Sequence, residues 1–255
     1  MPATLPPPPT TSLAARLLNV FATPGEVFEE VRISPVNHAN WLVPVLLAAI
    51  VGAISAVIIF SQPAILQQIH EQQAKMFDQS VKAGKMTQAD ADKAVAMAEK
   101  FSGPTVLKIS GSVAAVFGSC ARVFWWALVL WLLGLWFLKV KFSYLKAVEV
   151  AGLASMITIL GGIVALLLTV NFGKETSPSL ALAVNDFNPK NPLHLLFAAA
   201  NLFSFWTIGV MSVGLARLAG VRFPRAMVLV AGYWLALQFF LISVGAVAGN
   251  LVSIK

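Results

Sequence analysis

The sequence predicts an all-α, polytopic membrane protein: five transmembrane helices, with an extramembrane helical hairpin between spans one and two. Three observations carry that reading. Hydrophobic residues make up 58% of the 255-residue chain and charged residues only 11%, against roughly 25% charged in soluble domains. With a mean hydropathy of +0.80, so apolar a chain cannot hide its surface from water in a soluble fold. Five apolar stretches approach or exceed the ~20 residues a helix needs to cross the hydrocarbon core. None alternates as a transmembrane strand would, so each is read as a helix.

Residues 1–11 read as a disordered, Pro-rich tail, with Pro6 to Pro9 as a short polyproline run. The tail lacks the basic region and apolar core of a cleavable signal peptide. Residues 12–40 are expected to form cytoplasmic amphipathic helices. Leu13, Leu17, Leu18 and Phe21 gather on one side of the first. Thr23 suits an N-cap, Pro24 the first helical position and Glu26 a capping box. Val27, Phe28 and Val31 then oppose Glu26, Glu29, Glu30 and Arg32, and Pro35 stops the helix. This pair either lies along the membrane interface or packs on the bundle's own loops.

The membrane domain is expected over 41–251. Its spans cover about 41–61, 113–138, 147–170, 193–216 and 226–251. The hairpin insertion occupies 62–104. There Leu66, Ile69, Gln73, Met76 and Ser80 share one face. Gly84 breaks the helix, Thr87 caps the next with Asp90 at the box position, and Ala94, Met97, Ala98 and Phe101 form its face. Short links after spans two and four make antiparallel hairpins. They carry Lys139, Lys141 and Lys146, and Arg217, Arg222 and Arg225. Placing both basic links inside puts the N-terminus in the cytoplasm and the C-terminus opposite. The net charge of +7 is thus loop charge rather than a nucleic-acid surface.

Chemistry-bearing patterns are sparse. The lone Cys120 excludes an internal disulfide and a cysteine zinc site. His70-Glu71 opens like a zinc-protease motif, but Ala74 stands where the second histidine belongs. No nucleophile elbow or phosphate loop occurs. No catalytic residue, cofactor or metal is therefore expected, and the chain is read as non-enzymatic. Candidate polar groups inside the spans are Arg122, Glu149, Asn201 and Gln238. Arg122 is expected to snorkel to the outer head groups and Glu149 to sit at the inner interface near Lys146. Asn201 and Gln238 suit hydrogen bonds across helices. Ala48, Gly52 and Ala56, with Gly245 and Gly249, have the small-residue spacing that lets helices approach.

Phe21, Pro24, Phe28 and Pro35 precede an apolar span at Trp41, and a basic turn after span two leads through Tyr144 and Ala147 to Gly152 and Ala154. Over roughly residues 15–250 this resembles the Yip-domain family, membrane proteins first known as Ypt/Rab GTPase interactors, and most closely its prokaryotic members. The resemblance implies five helices, a cytoplasmic N-terminus and residence in the cell membrane of a bacterium. The hairpin at 62–104 goes beyond the compact eukaryotic pattern. Two functions are in view: a membrane scaffold or adaptor whose partners are the lipid bilayer, other membrane proteins or a second copy, and a component of a small-solute transporter or channel. The two are separated by whether Arg122, Asn201 and Gln238 meet in one pocket.

Overall fold

The computed structural model describes residues 11–184, 187–188 and 191–253, with side chains as far as 245. The Pro-rich run and Gly249 fall outside these limits. Five helices are long and apolar enough to cross a membrane: α3 (Ala39–Ile59), α6 (Pro104–Leu132, continued by a π-helical turn at Leu133–Leu138), α7 (Tyr144–Phe172), α9 (Leu202–Ala219) and α10 (Phe223–Ser253). Two short helices precede them, α1 (Leu13–Ala22) and α2 (Pro24–Ile33). The hairpin is α4 (Pro63–Lys82) and α5 (Gln88–Phe101), and α8 (Pro192–Ala199) stands before α9. The only strand-like pairing among the described residues is one isolated bridge, Ser179 to Asn201.

Close glycine contacts fix the register of the spans. A Cβ on Gly52 would lie 2.7 Å from the Ala115 Cβ, and one on Gly111 would lie 3.0 Å from the Ala56 Cβ. Helices α3 and α6 are therefore antiparallel, with residue 52 opposite 115 and 56 opposite 111. Gly161 meets Phe203 and Gly214 meets Val150, which sets α7 antiparallel to α9. In this arrangement α1, α2 and the links 139–143 and 220–222 share one end, here termed the base. The hairpin and the α7–α8 link share the far end.

The buried core is concentrated toward the base. Val20, Phe28 and Val31 pack with Val148, Val150 and Ile157 of α7 and Met211 and Leu215 of α9. Helices α1 and α2 therefore belong to the bundle through Val20, Val27, Phe28 and Val31, while Leu18, expected on the same face of α1, and Ile33 stand exposed. Pro24 occupies the first turn of α2 as expected, but the Thr23 side chain does not cap it. Thr23 instead closes α1, its N–H donating to Asn19 O at 2.7 Å. At the other side of the base, Gly134 lies under the Phe142 ring, where a Cβ would come within 2.4 Å. That contact, with Lys139 in the left-handed conformation at φ 58°, folds the chain back through the π-helical turn.

Two elements differ from the sequence expectation. Span four is not one helix over 193–216. It breaks after α8, and Asn201 restarts it by accepting a hydrogen bond from Phe203 N at 2.9 Å. An asparagine is a strong N-cap, so an apolar run around it is two helices, not one. The hairpin's face is also shifted. Ile65 and Ala91 are buried, while Met76, Met97 and Phe101 stand exposed. Thr87 does cap α5, accepting from Asp90 N at 3.2 Å, and Gly84 turns the chain at φ 70°. Gln68 Nε2 donates to Gly173 O at 2.9 Å, tying the hairpin to the C-terminal end of α7.

Candidate functional site

The base holds a chain of buried polar groups. Arg16 of α1 donates from Nη2 to Glu30 Oε1 of α2 at 2.7 Å, and from Nη1 to Asn40 Oδ1 of α3 at 3.2 Å. Asn40 Nδ2 donates to Glu149 Oε2 of α7 at 2.6 Å. Lys146 Nζ lies 2.9 Å from Glu149 Oε1 and donates to Pro35 O at 3.1 Å. The exposures are 0% for Asn40 and Glu149, 5% for Arg16 and 9% for Lys146. Two cations and two anions balance, so the network carries no net charge.

Local structure explains why these residues meet. Ser12 caps α1, accepting from Ala15 N at 3.2 Å, and this sets Arg16 in the first helical turns. Pro35 ends α2, and its carbonyl is free to accept from Lys146 because no helix continues through it. Lys146 and Glu149 stand at i and i+3 on α7, hence on one face. Asn40 opens α3 directly against α7, where Gly152 allows close approach: a Cβ there would lie 2.4 Å from Trp41 Cα and 2.9 Å from Asn40 O.

At the network's outer end, burial pushes the Glu30 carboxyl up. Hydrogen bonds from Arg16 and Thr11 outweigh that and hold it below the usual carboxylate range. Glu29 is likewise held low, chiefly by its hydrogen bonds from Arg32. A buried pair of this kind adds little over an apolar core, but removing one partner costs about 3–5 kcal/mol because a charge is left uncompensated. The arrangement therefore works as a lock: α1, α2, α3 and α7 hold one register or the charges are orphaned.

The residues of the N-terminal motif surround this lock. The Phe21 ring meets Trp206 edge-on at 5.8 Å. Phe28 is wholly buried beside Gly214. Pro24 starts α2, and Pro35 supplies the acceptor for Lys146. Glu149 does lie beside Lys146, as expected, and is fully buried and linked onward to Asn40. Neither Arg16 nor Asn40 is singled out by the sequence reading. A polar residue immediately ahead of an apolar run, as at Asn40, is the one signal that points to them.

Arg122 stands elsewhere. The α3–α6 register sets it opposite Val45, about 9 Å from the start of α3 and about 21 Å from its far end at 1.5 Å per residue. The expectation that it reaches the far-end head groups fails, because no arginine side chain spans that distance. It lines a 270 Å³ cleft between α3, α6 and α7, with Ala48, Gly52, Gly118, Ser155 and Thr158. No carboxylate pairs with it among the described residues. An unpaired cation within a span costs about 2.5–3.5 kcal/mol on insertion scales.

Asn201 serves as the cap of α9, not as a bond between helices. Gln238 is half-buried on α10 and does not line the cleft. Of the small residues, Gly52 and Ala56 pack against α6, and Ala48 faces the cleft. Gly245 does not bring a helix close, since nothing lies within 4 Å of a Cβ placed on it. Among the described residues no cluster of His, Cys, Asp and Glu is suited to a metal ion.

Five apolar helices of spanning length, built on a base of two short docked helices, define an integral, multi-pass helical membrane protein. The family model described as the Yip1 domain matches residues 18–245. The chain belongs to the Yip1 domain family. Neither the curated proteins nor the solved structures give a match to it.

Proposed function

We propose that the protein is a non-enzymatic membrane scaffold or adaptor of a bacterial inner membrane, with its base in the cytoplasm. The buried network supports this most. Its charged groups hold α1 and α2 rigidly on the bundle, which makes the base a fixed platform rather than a moving gate. The basic links with Lys139, Lys141, Arg222 and Arg225 lie at that same end, which favours a cytoplasmic base by the positive-inside rule.

A small-solute transporter or channel component is the second reading, and the Arg122 cleft is the observation that favours it. Against it, Asn201 and Gln238 do not line that cleft, so the three groups do not meet in one pocket. Proximity labelling from a tag at the N-terminus in native membranes separates the readings. A scaffold gives a discrete set of membrane-protein neighbours that an Arg16→Met variant loses. Neighbours no different from those of an unrelated membrane protein, together with solute uptake into vesicles that requires Arg122, would reverse the assignment. An impermeant thiol reagent on intact cells should label Ala83→Cys and spare Ala3→Cys. The opposite pattern overturns the cytoplasmic base.

A further inference from the structure

We propose that the cleft between α3, α6 and α7 binds one anionic phospholipid, its phosphate on the Arg122 guanidinium and an acyl chain along the small residues of α6. Three features converge on that ligand. Arg122 is a cation inside a span with no carboxylate partner among the described residues, so the anion it needs comes from outside the chain. Exposed at the cleft, Arg122 stands about 9 Å along α3 from that helix's start and about 24 Å along α6 from Leu138, so a phosphate on it enters past the start of α3, the shorter of the two helices at the base. From there the α6 wall runs toward the bilayer middle through Gly118 and Ala114, beside the point where Ala115 closes on Gly52, and offers a chain apolar surface.

The cleft is a gap left by the packing. Gly118 and Gly162 have nothing within 4 Å of an added Cβ, whereas Gly52 and Gly111 are in tight contact across α3 and α6. Helices α3 and α6 thus close on each other toward the far end while the wall around Gly118 stays open. The hydroxyls of Ser119, Ser155 and Thr158 donate to carbonyls of their own helices, at 2.8, 2.6 and 2.7 Å. Their remaining lone pairs accept from a donor. A glycerol head group supplies such donors, so phosphatidylglycerol matches the site better than phosphatidylcholine, which has none.

The test is native mass spectrometry of the full chain purified in a neutral detergent and exposed to phosphatidylglycerol or phosphatidylcholine. Phosphatidylglycerol should be retained about tenfold better. Arg122→Gln should abolish the preference, and Arg122→Lys should keep part of it, since a point charge still holds a phosphate. A Cβ on Gly118 has open space around it, so Gly118→Leu projects into the cleft and should block binding while leaving Arg122 in place and the elution profile unchanged. Equal retention of the two lipids by the native protein would overturn the proposal. So would undiminished phosphatidylglycerol binding by both Arg122→Gln and Gly118→Leu. Displacement of the lipid by excess inorganic phosphate alone would assign the site to free phosphate and overturn the lipid.

Discussion

Neutralising Glu149 tests the lock most directly. Glu149→Gln keeps the shape and leaves an oxygen that still accepts from Asn40. It removes the fully buried negative charge of the network and leaves Lys146 and Arg16 with a single counter-charge, the partly buried Glu30 paired to Arg16. Nζ of Lys146 then retains only the Pro35 carbonyl at 3.1 Å. Breaking a buried pair this way costs about 3–5 kcal/mol. For a chain near 250 residues, each kcal/mol moves a melting temperature by about 2–4 °C, so a drop of roughly 6–20 °C is expected in detergent. The double variant Glu149→Gln/Lys146→Met removes both charges and should recover more than half of the loss. Limited trypsin digestion supplies the local readout, since cleavage after the buried Arg16 requires α1 to lift from the bundle. It should accelerate in Glu149→Gln and slow again in the double variant. A melting temperature unchanged by Glu149→Gln, or losses that simply add in the double variant, would refute the reasoning.

Two further outcomes follow from the same geometry. Glu30 has a folded pKa below its ordinary value of 4.5, so it binds a proton less readily folded than unfolded. Its contribution is fully present above about pH 4.5 and is lost as pH falls below it; trypsin-independent docking of α1 and α2, followed by hydrogen exchange, should therefore weaken below that pH and stay flat from 6 to 8, and Glu30→Gln should flatten the acid limb. Gly214→Ala forces a Cβ to 2.2 Å from Val150 and should destabilise by about 1–3 kcal/mol, whereas Gly245→Ala, with open space around it, should leave the melting temperature within error.

The parts of this structure that composition and local rules control are the parts legible in the sequence. The five spans are apolar runs, and Pro24, Pro35, Thr87 and Gly84 act within a turn of their own position. What escaped depends on contacts between distant residues. Asn40 and Glu149 are 109 residues apart, and nothing local at either position announces the other. Burial of Arg16 on the amphipathic α1 follows only once Glu30 of α2 and Asn40 of α3 cover it. Asn201 lies in an apolar run that masks its capping role, which the hydrogen bond from Phe203 N reveals. Small-residue spacing marked Gly52 and Gly245 alike; it shows that a helix has a smooth stripe, but not which neighbour, if any, lies against it.

The position of the network bears on why charges sit in a core that apolar residues would fill. At the base, α1 and α2 are short, and an apolar face alone lets a short helix slide by a turn with little loss, since one aliphatic contact replaces another. A hydrogen-bonded charge cannot slide in that way. Moving α1 by one turn, about 5.4 Å, would take Arg16 out of reach of Glu30 and Asn40 together and leave both sides desolvated. Glu30 would keep only its Thr11 contacts. The apolar core around Phe28 and Val31 therefore supplies the attraction, and the network selects the register. The same division explains the contrast with the far end, where Met97 and Phe101 of α5 stand exposed and, among the described residues, the hairpin's side-chain tie to the end of α7 is the neutral hydrogen bond from Gln68. A rigid base and a lightly tethered far end are thus consequences of where the chain buries its charges.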